Sequence, residues 1–119
     1  MTVQELANRK QFEAVYISED AAEKEITDVY CCDLLSIAMT KVPAGAAWVT
    51  VMSNLNTLAV ASLTEAACVI LAEGAVVEGT VLERAKQQQI CLFRTEQPVF
   101  QAALGVHTLC EIAKAGEGL

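Results

Sequence analysis

The stretch Trp48–Ser62, WVTVMSNLNTLAVAS, organises the reading of the whole chain. Trp48 to Met52 is an almost unbroken apolar run of strand formers, the pattern of a strand covered on both faces. A short polar break follows, and then NTLAVASLTEA, Asn56 to Ala66, reads as a helix for which Asn54 is a fitting N-cap. Strand, polar turn and asparagine-capped helix is how an α/β protein turns a corner. It is also the shape of a loop that holds an anion on the free N–H groups of a helix start.

The alternation continues downstream. ACVILAEG, Ala67–Gly74, is a strand with a glycine stop. TVLERAKQQQ, Thr80–Gln89, is an amphipathic helix with Val81, Leu82 and Ala85 inward and Glu83, Arg84, Lys86 and Gln87 outward. ICLFRT, Ile90–Thr95, is the next strand. PVFQAALGVHTLCEIAK, Pro98–Lys114, is a closing helix with Pro98 near its first turn. Upstream, DLLSIAMTKV, Asp33–Val42, reads as a helix with Asp33 as N-cap, and its small residues Ser36, Ala38 and Thr40 allow close packing. Pro43 and Gly45 break it. Before it, ITDVYCC, Ile26–Cys32, is a short strand.

The N-terminal part is less regular. Thr2 followed by Glu5 is a capping box for a short first helix. FEAVYI, Phe12–Ile17, alternates as a strand, but the pattern does not fix its place beside the Trp48 strand. SEDAAEKE, Ser18–Glu25, is an acidic surface connection with room for a turn of helix. The expectation is one α/β domain of three layers, with a central, mostly parallel sheet of about four or five strands flanked by helices. Its core spans about residues 12–112, and 113–119 form a frayed tail.

Composition narrows the function. The chain has 119 residues, 54% of them hydrophobic, and a net charge of −7. It carries no Lys/Arg cluster and few aromatics, which opposes nucleic-acid binding. No apolar stretch reaches the roughly 20 residues that span a bilayer, and the N-terminus lacks a signal-peptide core. The five cysteines, Cys31, Cys32, Cys68, Cys91 and Cys110, lack zinc spacing and read as reduced thiols of a cytoplasmic protein. No cofactor or metal is expected. His107, beside Phe100, Ala103 and Leu104 at helical spacing, reads as a packing or interface residue.

In open α/β sheets, ligands bind beyond the C-terminal ends of the strands. The residues falling there are Cys32 and Asp33, then Ser53, Asn54 and Asn56, then Glu73 and Gly74, then Arg94, Thr95 and Glu96. Capping alone accounts for Asn54. The functional alternative is an anion or polar metabolite held by the helix start together with Ser53 and Asn56. Arg94 favours an anion, whereas Glu73 and Glu96 oppose one. The phosphate cradles GxxxxGK[ST] and GxGxxG are both absent.

The order GAAWVTV, NLNTLAVAS, ACVILAEG and VLERAKQQQICLFRTEQPVFQAA resembles the DRTGG family. These domains are similar to the N-terminal domain of HPr kinase/phosphorylase and also occur in phosphotransacetylases and CBS-domain pyrophosphatases. The resemblance covers about Val29 to His107 and is most specific in VLERAKQQQICLFRT. It implies a parallel or mixed α/β sheet and a regulatory or dimer-forming role without catalysis. Where the family has an Asp-Arg turn and then Thr-Gly-Gly, this chain has SNLN and LAEG, so of the second motif Gly74 alone fits.

The first functional expectation is therefore a regulatory, homodimeric module that senses a small polar or phosphorylated metabolite at the strand-end edge. The second is a subunit that binds a larger enzyme partner without a ligand. The third, a phosphoryl-transfer enzyme, is opposed by the missing P-loop.

Overall fold

The nearly continuous apolar strands described above have to be covered on both faces, and the three-layer arrangement follows from that need. The structure, a computed structural model, describes residues 1–117. Five strands, β1 Glu13–Tyr16, β2 Asp28–Cys31, β3 Ala46–Thr50, β4 Cys68–Leu71 and β5 Leu92–Arg94, form one sheet in the order β1-β5-β4-β3-β2. β2 to β5 are mutually parallel, and β1 joins the β5 edge antiparallel with an irregularity between Ala14 and Tyr16.

The helices are α1 Val3–Ala7, α2 Leu35–Lys41, α3 Leu55–Thr64, α4 Gly79–Gln88 and α5 Val99–Glu117, with a 3-10 turn at Glu19–Ala21. Side chains alternate across each strand. Ala47, Val49, Cys68, Ile70 and Phe93 point into one core with Val3 and Leu6 of α1 and Ala102 and Val106 of α5. Ala46, Trp48, Val69, Leu71 and Leu92 point into the other, with Ala38 of α2, Leu58 and Ala61 of α3, and Val81 and Ala85 of α4. Every residue of β3 and β4 is buried, as expected for central parallel strands.

Several details differ from the sequence reading. The N-cap of α2 is Leu34, without a side-chain cap, and not Asp33. Leu82 is half-buried rather than inward, because Val81 and Ala85 already fill the buried side of α4. His107 is exposed. In α2, Ala38 is buried whereas Ser36 and Thr40 are exposed. The core reaches back to Met1, Val3 and Leu6, and α5 runs on through Ala113 to Glu117. The frayed tail expected for residues 118 and 119 lies outside the described residues. No helix among the described residues is long and apolar enough to cross a membrane.

The topology sets the direction of each loop. β2, β3 and β4 lead into helices on one face of the sheet, whereas β5 leads into α5 on the other. The chain after β4 and the chain after β5 therefore leave for opposite faces, and the point between two such strands is where α/β sheets place ligands.

Candidate functional site

Between β4 and β5, Ala72–Ala75 makes a tight turn, closed by Ala75 N–H donating to Ala72 O at 3.2 Å. Glu73 and Gly74 at its centre have φ of +60° and +68°. Glycine is at ease there, and glutamate is not. The turn is pinned to the β5 loop by Glu73 N–H to Gln97 O and Gly74 N–H to Thr95 O, both 2.9 Å. Glu73 Oε2 accepts from Val99 N–H at 2.9 Å and so caps the start of α5.

Arg94 fills the rest of the gap. Its Nε donates to Ala75 O at 3.2 Å, Nη1 to Glu13 Oε2 at 3.1 Å and Nη2 to Glu96 Oε1 at 2.9 Å. The hydrogen bonds to Glu13 and then Glu96 hold the guanidinium above its ordinary value, so it stays a cation. Thr95 is buried, and its hydroxyl donates to Gln11 O at 2.7 Å. Glu73, Gly74, Arg94 and Thr95 are thus brought together, with the Arg94 guanidinium bound to Glu13, Glu96 and the Ala75 carbonyl and the Glu73 and Thr95 side chains bound to the backbone.

The β3 loop is similarly settled. Asn54 Oδ1 accepts from Thr57 N–H at 3.0 Å, the expected helix cap. Ser53 Oγ donates to Val76 O at 2.7 Å, tying this loop to the one after β4. Asp33 Oδ1 accepts from Thr50 Oγ1 at 2.7 Å and from Val51 N–H at 3.0 Å, closing the end of β3. Asn56, exposed in the first turn of α3, makes no side-chain hydrogen bond among the described residues.

Sequence reasoning missed Thr50, Thr57, Glu13 and Gln97. The lone hydroxyl of Thr50 inside an apolar strand was a signal that a partner had to exist, since a buried hydroxyl needs one. Glu13 lies 81 residues from Arg94 and gave no local signal. Burial, and then Asp33, raise the Cys31 thiol above its ordinary value, which opposes a reactive thiolate at the start of this edge. Among the described residues no group of His, Cys, Asp and Glu is placed to hold a metal ion.

No family model matches the chain, and no curated protein matches it in sequence. A solved structure does match in fold: the CBS and DRTGG domains of the regulatory region of Clostridium perfringens pyrophosphatase, complexed with its activator, diadenosine tetraphosphate. The likeness has a TM-score of 0.69 at 16% sequence identity, and covers 85% of this chain and 44% of that one. The fold is that of a DRTGG-like α/β domain, as the block order of the sequence led one to expect. The chain spans less than half the length of that regulatory region.

Proposed function

We propose that this chain is a non-catalytic regulatory module that pairs with a second copy of itself and responds to a small polar or phosphorylated metabolite. The observation that carries the reading is the state of the strand-end edge. Apart from the exposed Asn56, its polar side chains are engaged internally, while apolar ones nearby face solvent: Leu34 is 54% exposed, Val51 39% and Val76 76%. The Asp33 and Ser53 hydrogen bonds hold these three residues on adjoining loops. An edge with satisfied polar atoms and exposed apolar side chains favours a contact surface over a reaction centre. The shared fold with a regulatory region whose activator is a dinucleotide supports the metabolite-responsive half of the reading.

Light scattering at micromolar concentration tests the pairing. The expected mass is twice the 12.7 kDa of the chain, falling to one chain in Leu34→Glu/Val76→Glu. A wild-type mass of one chain overturns it. A thermal-shift screen of nucleotides, acyl phosphates and sugar nucleotides tests the response, with roughly 2.7 kcal/mol of stabilisation expected at 100 times the dissociation constant.

A further inference from the structure

A hollow of about 560 Å³ lies where α5 passes the connection between α1 and β1. Small-molecule sites run from roughly 300 to 1,000 Å³. Phe12, Leu104 and Leu109 give the hollow an apolar lining, and Arg9, Gln11, Gln97 and Gln101 bring polar side chains to it.

Three properties set it apart from the strand-end edge. Four of its polar side chains are uncommitted: among the described residues, Arg9, Gln11 and Gln97 enter hydrogen bonds outside helices and strands only through their backbones, and the Gln101 side chain enters none, whereas the Thr108 hydroxyl donates to Leu104 O at 2.8 Å. The sign of its charge also runs against the chain. The protein carries −7, yet among the described residues the one charged side chain lining the hollow is Arg9. Finally, Gly105 lines the hollow from the middle of α5. A Cβ there would have Phe12 Cζ, at 4.0 Å, as its nearest neighbour, an ordinary contact. Packing does not require a glycine, and glycine is among the poorest helix formers. Its missing side chain leaves the hollow open.

Carboxamides present a donor and an acceptor side by side, the complement of a heterocyclic base edge. An apolar lining suits the face of such a ring, and a guanidinium suits a phosphate. We propose that this groove binds a nucleoside monophosphate, with the base against Phe12, Leu104 and Leu109, its edge on the glutamine carboxamides and its phosphate on Arg9. The proposal rests on the metabolite-responsive reading and moves the ligand from the strand-end edge to α5.

The test is calorimetric titration of the wild-type protein, Gly105→Leu and Arg9→Gln with AMP, GMP, CMP and UMP, alongside adenosine and inorganic phosphate. Leucine at 105 fills the groove, and glutamine at the exposed position 9 removes the cation without touching the core. The expected result is binding of at least one nucleotide, weakened about tenfold or more in each variant. Adenosine and phosphate alone should each bind more weakly than AMP. Wild-type affinity in Arg9→Gln, or in a folded Gly105→Leu, overturns the groove while leaving the metabolite-responsive reading intact. Phosphate binding as tightly as every nucleotide overturns the role given to the base. No binding by any nucleotide overturns the proposal, and a flat thermal-shift screen besides would overturn the metabolite-responsive reading with it.

Discussion

Asp33 Oδ1 lies 2.7 Å from Thr50 Oγ1, so an exposed carboxylate just past β2 holds a fully buried hydroxyl at the end of β3. The same oxygen accepts from Val51 N–H, so one acceptor closes two donors. Removing it leaves the Thr50 hydroxyl without its acceptor, at a cost of about 1–3 kcal/mol. Asp33→Ala is expected to lose that much stability to urea, and Asp33→Asn, which keeps a carbonyl oxygen, less than half of it. An Asp33→Ala midpoint equal to wild type would show that the loop re-forms without the carboxylate.

Asn54 answers the question raised by its own stretch of sequence. Its side chain is taken by Thr57 N–H, while the Thr57 hydroxyl donates to Met52 O at 2.7 Å. Asn54→Ala is expected to cost about 1 kcal/mol, with Asp or Ser at the position restoring most of it. Any nucleotide-induced stabilisation should be the same in Asn54→Ala as in wild type. Loss of that shift in the variant would return the ligand to the strand-end edge.

The central layers were legible because their cause is local. Continuous apolar runs at β3 and β4 and 3.6-residue periodicity in α4 follow directly from burial on two faces or on one. The Asn54 cap was legible for the same reason, since donor and acceptor are three residues apart. Asp33 was misplaced because an acidic residue between a strand and a helix serves equally as a cap or as a bridge to the next strand. Only the backbone at Leu34 separates the two. The pairing of β1 with β5 and the reach of Arg94 to Glu13, 81 residues away, join distant parts of the chain, and no periodicity carries that information. The α5 groove was illegible too, because Arg9 and Gln11 come from near one end of the chain and Gln97 and Gln101 from near the other, and no local pattern joins them.

Gly74 carries two costs of substitution that can be separated. At φ +68° an alanine is strained by roughly 1–2 kcal/mol, and its Cβ would also stand 2.5 Å from Glu96 Oε2. The second cost is avoidable, because Glu96 is a flexible, exposed side chain. Gly74→Ala is therefore expected to destabilise in both the wild-type and the Glu96→Ala backgrounds. The penalty should shrink in the second but stay near 1 kcal/mol. A penalty that vanishes in the Glu96→Ala background would assign the whole effect to the contact and none to the backbone.

The buried thiols should make the protein sensitive to alkali. Burial, and then Cys91 and Cys110, push the Cys68 thiol far above its ordinary value of 9.0, and burial raises Cys110 in the same direction. A native state with the raised value keeps its proton where the unfolded chain has lost it. The stabilising contribution is therefore complete below about pH 9 and is lost as pH rises from there toward the native value. A thiol raised as far as Cys68 contributes a slope approaching about 1.4 kcal/mol per pH unit in that window. Trp48, the one tryptophan, is fully buried with Nε1 donating to Cys32 O at 3.0 Å, so its emission reports the unfolding. Urea midpoints followed by tryptophan emission from pH 8 to 10.5 should fall in wild type and fall less steeply in Cys68→Ala. That variant starts lower because of the cavity it leaves, so the comparison lies in the slope and not in the midpoint at neutral pH. Parallel slopes would mean that the Cys68 thiolate is tolerated inside the native core, against the burial of its β4 strand on both faces of the sheet.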